Sequence, residues 1–100
     1  MLLEFQPIDE AAAEQLTKEF SKEEILRSSG FDGTVIITII TAAIPVLNIA
    51  FKFYKEHKTS LKAAKIKIKN KEVSFEGFTA DEINEMVERG SIQKLQERLK

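Results

Sequence analysis

The longest apolar stretch of the chain covers residues 33–51, which are nineteen consecutive uncharged residues closed by Lys52. Polar or helix-disfavouring residues recur within and just after it at intervals of three and four, which is the period of an α-helix. They are Thr38, Thr41, Pro45, Asn48, Lys52 and Lys55. The pattern predicts a hydrophobic helix at about 34–56 with one narrow polar stripe. Pro45 is expected to kink this helix or to divide it into two parts.

The N-terminal third predicts a strand followed by an acidic helix. The run LLEFQPI is short and extended, and Pro7 marks an edge strand because proline cannot donate a hydrogen bond to a neighbouring strand. Asp9 can then cap a helix whose first turns are acidic. The sequence SKEE at residues 21–24 has the pattern of a capping box, so either a second short helix begins there or one bent helix continues to Arg27. A loop follows at residues 28–33.

Two strictly alternating runs, KIKIK and EVSFE, predict an antiparallel β-hairpin. With Asn70 and Lys71 as a two-residue turn, apolar pairs share one side of the hairpin and opposite charges share the other. The predicted core-facing residues are Ile66, Ile68, Val73 and Phe75. The predicted solvent-facing residues are Lys65, Lys67, Lys69, Glu72, Ser74 and Glu76. The turn carries no glycine where a type I′ turn prefers one.

The C-terminal region predicts two helices. The sequence TADE at residues 79–82 is a capping box flanked by Phe78 and Ile83, and Gly90 ends the helix that it begins. Ser91 can cap a last helix. The whole chain is therefore expected to form one small α+β domain over residues 1–100. Its order is an N-terminal strand, an acidic helix, a long hydrophobic helix, an antiparallel β-hairpin and C-terminal helices.

The hydrophobic segment suits two environments. Its length, its aromatic end at Phe51, Phe53 and Tyr54, and the lysines beyond favour a membrane span. Pro45 and Asn48 lie near the middle of any span and oppose insertion. In water, the same helix is too apolar for one domain of this size to cover. A soluble form is then expected to bury part of the helix against another copy or a partner.

The net charge of −1 conceals a strong segregation of charge. Residues 1–33 hold eight acidic and three basic residues, residues 52–71 hold eight lysines and one glutamate, and residues 72–100 hold seven acidic and four basic residues. The middle segment predicts a basic patch of Lys58, Lys62, Lys65, Lys67, Lys69 and Lys71. Such a segment suits self-association, an anionic partner or a membrane surface, or is a solvated face. The acidic balance of the chain and its few arginines argue against nucleic acid.

No pattern in the chain points to catalysis. Cysteine is absent, which excludes disulfides, thiolate nucleophiles and zinc–thiolate sites, and the lone His57 makes a transition-metal site unexpected. The loop sequence SSGFDG could hold an anion in front of a helix, but it lacks the Walker lysine and the GxGxxG spacing. The chain is predicted not to be an enzyme and to need no cofactor or metal. Its N-terminus lacks the basic region of a secretory signal peptide.

The order of elements resembles the effector-associated constant component domains of bacterial conflict systems. The residues that carry this resemblance are GFDGTVIITIITAAIPVLNIAFKFYKEHK and AKIKIKNKEVSFEGFTADEINEMV, which cover somewhat over half of the chain. The resemblance implies an adaptor in defence against phage or invading DNA, without an activity of its own and with a partner effector encoded alongside. It brings no functional residues to carry over.

Two functions are therefore expected from the sequence. The first is a cytoplasmic, non-enzymatic adaptor that associates with a separate effector and self-associates into a homo-oligomer through the hydrophobic helix. Its interaction stripe is predicted at Thr38, Thr41, Asn48, Lys52 and Lys55. The alternative is a small single-pass protein of the inner membrane, such as a pore-forming effector, with its acidic N-terminal side outside and its lysine-rich C-terminal side in the cytoplasm.

Overall fold

The computed structural model of the chain describes residues 1–41, 43–90 and 92–100. Its strands are β1 (Leu2–Pro7), β2 (Glu24–Ser29), β3 (Val35–Ile40), β4 (Leu61–Ile68) and β5 (Lys71–Ser74). Its helices are α1 (Glu10–Glu19), α2 (Ile44–His57), α3 (Ala80–Arg89) and α4 (Ile92–Arg98), with 3₁₀ turns at Lys58–Ser60 and Phe75–Gly77. The predicted α+β class is confirmed, and so are the N-terminal strand and the C-terminal helices.

The strands form one antiparallel sheet in the order β2-β3-β1-β4-β5. The first six elements, β1-α1-β2-β3-α2-β4, place β1 and β3 at the centre and follow the ferredoxin-like split βαβ topology. The C-terminal region adds β5 at one edge together with α3 and α4. Because many unrelated functions share this topology, function has to be argued from the surfaces of the molecule.

The strand β1 and the helix α1 form as the sequence predicts, although β1 is a central strand. Its side chains alternate, so that Leu3 and Phe5 are buried while Glu4 lies on the other face. The carboxylate of Asp9 accepts a hydrogen bond from the backbone N–H of Ala12 at 2.8 Å, which caps α1. The predicted edge position of β1 is wrong, because β1 pairs with both β3 and β4.

The hydrophobic segment does not form the single helix predicted at about 34–56. Residues 35–40 are the strand β3, and the helix α2 begins only at Ile44. Pro45 neither kinks a helix nor divides one into two parts, because it lies in the first turn of α2, where no backbone N–H is needed for the helix. All six residues of β3, VIITII, are β-branched, and such side chains pack well on a pleated sheet. This composition favours a strand where the helical spacing had predicted a helix.

The helix predicted to begin at Ser21, or to continue to Arg27, is also replaced by a strand. Residues 24–29 form β2, which pairs with β3 along its whole length. The side chain of Arg27 reaches across to α1, where its guanidinium lies 2.6 Å from the carboxylate of Glu10. The pairing of β2 with β3 in a hairpin overrides the capping pattern of SKEE.

The predicted hairpin is confirmed in its faces and corrected in its turn. The turn residues are Lys69 and Asn70, with φ of 52° and 65°, as a two-residue type I′ turn requires. Ile66 therefore pairs with Val73 rather than with the predicted Phe75. A shift of two residues leaves each side chain on its predicted face, because strands alternate with period two. Phe75 leaves the strand and buries its ring from a 3₁₀ turn.

The helices cover one face of the sheet and enclose an aromatic core. The ring of Phe75 lies 5.7 Å from that of Phe5, 5.1 Å from that of Phe51 and 5.2 Å from that of Tyr54. The predicted capping box of Thr79 and the predicted C-cap Gly90, with φ of 61°, define the ends of α3. One hydrophobic cluster thus contains residues from the strands, from α1 and α2, and from the C-terminal helices α3 and α4.

Candidate interaction surfaces

The described residues bring together no constellation that could bind a metal. Among them, no group of three or more His, Cys, Asp or Glu side chains is close enough to hold an ion. The ring of His57 packs against that of Phe53 at 4.6 Å, and its Nε2 lies 3.5 Å from Nε2 of Gln15 on α1. The histidine therefore packs between α2 and α1, with no carboxylate among these contacts.

A cleft of about 240 Å³ lies beside the C-terminal end of α2. Tyr54 lines it together with Lys58, Glu76 and Phe78. Burial raises the pKa of the Tyr54 hydroxyl, and the nearby carboxylate of Glu76 raises it further. A tyrosine with a raised pKa stays protonated at neutral pH and is a poor general base. Tyr54 is therefore not activated as a base in this cleft.

The structure separates the residues of the predicted helical stripe. Thr38 lies on β3, and Thr41 is buried beyond the end of that strand. The hydroxyl of Thr41 accepts a hydrogen bond from the backbone N–H of Ala43 at 3.0 Å, so it serves the connection to α2. Only Asn48, Lys52 and Lys55 remain together at helical spacing on α2, where the two lysines are exposed and Asn48 is half-buried. Because the segment is a strand followed by a helix, its helical spacing does not correspond to one surface.

The apolar side of α2 is used within the fold. Its buried residues are Val46, Leu47, Ala50, Phe51, Phe53 and Tyr54. On the outer side, Ile44 and Ile49 are the exposed large apolar residues. In the described ranges, no helix is both long enough and apolar enough to cross a bilayer.

The six predicted lysines do not form one basic patch. Lys65 and Lys67 face outwards from the sheet, Lys62 is exposed on β4, and Lys58 and Lys69 lie in turns at opposite ends of that strand. Lys71 is on the helix side, where its Nζ donates to the backbone carbonyl of Leu99 at 2.6 Å.

Lys65 also has a partner. Its Nζ lies 2.9 Å from the carboxylate of Glu72, and this hydrogen bond raises the pKa of the lysine and lowers that of Glu72. The lysine-rich segment is thus dispersed over several surfaces of the molecule and is in part neutralised by neighbouring acids.

The most extensive surface left uncovered is the face of the sheet opposite the helices, which we call the open face. Its residues are Leu2, Glu4 and Gln6 on β1; Glu24, Leu26 and Ser28 on β2; Ile36, Thr38 and Ile40 on β3; Ala63, Lys65 and Lys67 on β4; and Glu72 and Ser74 on β5. Leu26 is 53% exposed, and Leu2, Ile36 and Ile40 are half-buried beside it. Solvated sheet faces normally carry polar residues, so this apolar group at the centre of the open face is unusual.

A second exposed feature is the tip of the β2–β3 hairpin, where Phe31 is fully exposed. The turn around it is closed by two backbone hydrogen bonds, from Gly30 N–H to the Thr34 carbonyl at 2.8 Å and from Gly33 N–H to the Gly30 carbonyl at 3.1 Å. The carboxylate of Asp32 accepts a further bond from the backbone N–H of Thr34 at 3.0 Å. Hydrogen bonds from Thr34 lower the pKa of Asp32, and the charge of Lys62 contributes in the same direction.

Neither feature was singled out from the sequence. The loop SSGFDG was considered as an anion site in front of a helix, but a strand follows it, so no helix dipole is directed at its amides. The signal for Phe31 was an aromatic side chain between two glycines in a predicted loop. The sequence feature that could have indicated the open face is the β-branched run of β3. In a strand, successive side chains of this run lie on opposite faces of the sheet, so half of them are placed on the face without helices.

Comparison of this chain with known protein families, with curated proteins and with solved structures finds no match in any of the three.

Proposed function

We propose that this chain is a non-enzymatic interaction module that docks onto a separate effector protein through the tip of its β2–β3 hairpin. The observation that carries this proposal is the fully exposed ring of Phe31 at the end of a closed turn. Burying such a ring in a pocket of a partner contributes roughly 1.5–3 kcal/mol. Aromatic side chains of this kind are enriched in the central parts of protein interfaces.

The hydrogen bonds of the turn support this role. An anchor that is already held in place loses little conformational entropy when it binds. The carboxylate of Asp32 fixes the backbone on the C-terminal side of Phe31, and Gly33 adopts the positive φ of 81° that the turn requires. The ring is therefore presented by an ordered hairpin and not by a loose loop.

The resemblance to effector-associated constant component domains supplies the biological setting of the proposal. In that setting the chain is a cytoplasmic adaptor in a bacterial defence system, its partner is an effector protein encoded alongside, and it uses no cofactor. Turnover of substrate by the purified chain alone would contradict the non-enzymatic part of the proposal.

The docking site is tested by measuring the affinity of the purified chain for the effector encoded beside it, by calorimetry. Phe31→Ser is expected to weaken binding at least about tenfold while leaving the melting temperature unchanged. Ile49→Ser is the matched control, because Ile49 is an exposed apolar residue on α2, away from the hairpin. Equal affinity of wild type and Phe31→Ser would overturn the proposal.

A further inference from the structure

We infer that the open face is covered by a second copy of this chain, packed face to face about a two-fold axis that runs parallel to the strands between β1 and β3. This inference goes beyond the proposed function, because it concerns the sheet and not the hairpin tip. It is carried by the order of charged and apolar residues across the open face.

Two rows of residues cross the open face from β2 to β5. Successive members of each row are direct partners on neighbouring strands. The first row is Glu24, Ile40, Leu2, Lys67 and Glu72, and the second is Leu26, Thr38, Glu4, Lys65 and Ser74. Each row thus has an apolar or hydroxyl-bearing centre near β3 and a lysine on β4. Only the first row begins with an acid on β2.

Rotation about the proposed axis places β3 of one copy opposite β1 of the second copy, and β2 of one copy opposite β4 of the second copy. In the first row, Glu24 then lies opposite Lys67 of the second copy, and Ile40 lies opposite Leu2. By symmetry each of these pairs occurs twice, as an isologous interface requires. The outer pairs are opposite in charge, and the inner pairs are apolar.

The second row is complementary under the same rotation. Leu26, the most exposed apolar residue of the face, lies opposite Lys65, whose aliphatic stem can pack against it while its ammonium group stays in water. Thr38 lies opposite Glu4, so that a hydroxyl donor meets a carboxylate. The contacts of both rows therefore agree on one position of the axis.

Two other positions of the axis bring like charges together. An axis along β1 places Glu24 opposite Glu72 of the second copy. An axis perpendicular to the strands, between the two rows, places Lys65 opposite Lys67. Like charges facing each other across an interface disfavour association, so the charges disfavour both of these axes, and the pairs in the two rows favour the axis between β1 and β3.

The size of the surface predicts a dimer of modest affinity. Four strands spaced about 4.8 Å apart, each about 20 Å long, give an overlap of roughly 400 Å² for each copy. Two such surfaces bury roughly 800 Å² in total, which is below the standard size of specific interfaces and within the range of weak, transient ones. A dissociation constant in the micromolar range is expected.

The closing experiment measures molecular mass by sedimentation over a range of protein concentrations, using opposite charge reversals. Glu24→Lys alone and Lys67→Glu alone each place two like-charged pairs in the homodimer, so each variant is expected to remain monomeric. When the two variants are mixed, both pairs become opposite in charge, and a heterodimer is expected at concentrations where the wild type dimerises. Glu56→Lys and Lys52→Glu, exposed positions on α2, are the matched controls and are expected to dimerise like the wild type.

The inference is overturned by a wild type that stays monomeric throughout, by a dimer that both reversals leave intact, or by a mixture that does not recover the dimer. Glu24 is exposed on the edge strand β2, so Glu24→Lys against wild type still decides the question if Lys67→Glu fails to fold. A monomeric wild type that binds the effector through Phe31 would reject the dimer and leave the proposed function standing.

Discussion

The side-chain amide of Asn48 on α2 lies directly against Gly90, the residue that ends α3. A Cβ atom built at position 90 would lie 2.9 Å from Nδ2 and 3.5 Å from Oδ1 of Asn48. Gly90 also has a positive φ of 61°, which side-chain-bearing residues rarely adopt. Asn48, expected from the sequence to mark a free stripe, is thus part of the contact between the central and C-terminal helices.

Gly90→Ala is expected to lower the free energy of unfolding by about 1–2 kcal/mol, because it adds a left-handed penalty and a steric contact with Asn48. Chemical denaturation measures the loss. In an Asn48→Ala background the steric part disappears, so the same substitution should cost less there. Equal costs in both backgrounds would show that the amide does not restrict position 90.

Phe75→Ala is expected to destabilise the fold by about 3–5 kcal/mol, because the ring is fully buried among three other aromatic rings. Phe31→Ala is the matched control at a fully exposed ring and should leave the free energy of unfolding unchanged. A comparable loss in both variants would mean that the hairpin tip packs onto the domain.

Lys69→Asn combined with Asn70→Gly is expected to raise the free energy of unfolding by about 1 kcal/mol. Both residues of the turn have positive φ, and Asn-Gly is the preferred pair for a type I′ turn. Asn70→Ala should lower stability, since alanine tolerates this conformation less well than asparagine. Urea titration of the three proteins should rank them in this order, and the reverse order would argue against the Lys69–Asn70 turn.

Stability is expected to fall when the pH is lowered below about 4.3, the ordinary pKa of glutamate. Hydrogen bonds from Arg98 lower the pKa of Glu82, and a hydrogen bond from Lys94 lowers that of Glu85. A carboxylate whose pKa is lower in the folded state stabilises the fold above its unfolded pKa. This contribution is lost as the pH falls through the folded pKa.

The acid sensitivity can be assigned by comparing melting temperatures of wild type and Arg98→Gln at neutral and acidic pH. The melting temperature of the wild type should fall further on acidification, because the variant has already lost the two hydrogen bonds that Nη2 of Arg98 donates to the carboxylate of Glu82. Lys52→Gln, a cation outside these pairs, should behave like the wild type. Parallel pH profiles for wild type and Arg98→Gln would contradict the assignment.

Local patterns predicted those parts of the fold that local chemistry decides. The N-cap Asp9, the capping box at Thr79 and the C-cap Gly90 all act within a few residues of the chain, and all three are confirmed. The strict alternation of apolar and polar residues correctly predicted which side chains of the β4–β5 hairpin face the core and which face solvent. The turn lies one residue before the predicted position, because Lys69 and Asn70 adopt the left-handed φ values of a type I′ turn and Phe75 leaves the strand for a 3₁₀ turn.

The strands β2 and β3 could not be obtained from helical periodicity. Strand β2 pairs with β3, and β3 also pairs with β1, which is distant in sequence. Ile39 of β3, for example, pairs with Ile25 of β2 on one side and with Leu3 of β1 on the other. The helical spacing from Thr38 to Lys55 was a coincidence across two different elements. Since the open face exists only once β2 and β3 are strands, this error also concealed the surface on which the dimer is proposed.

The central position of β1 has a consequence for biosynthesis. Leu2 pairs with Ile40 on one side and with Lys67 on the other, so during synthesis β1 has no neighbour until β3 emerges and no second neighbour until β4 emerges. Contacts of such long sequence separation slow folding and leave the hydrophobic strands without partners in the meantime. The sheet is therefore completed only after β4 and β5 have emerged, late in the synthesis of this domain.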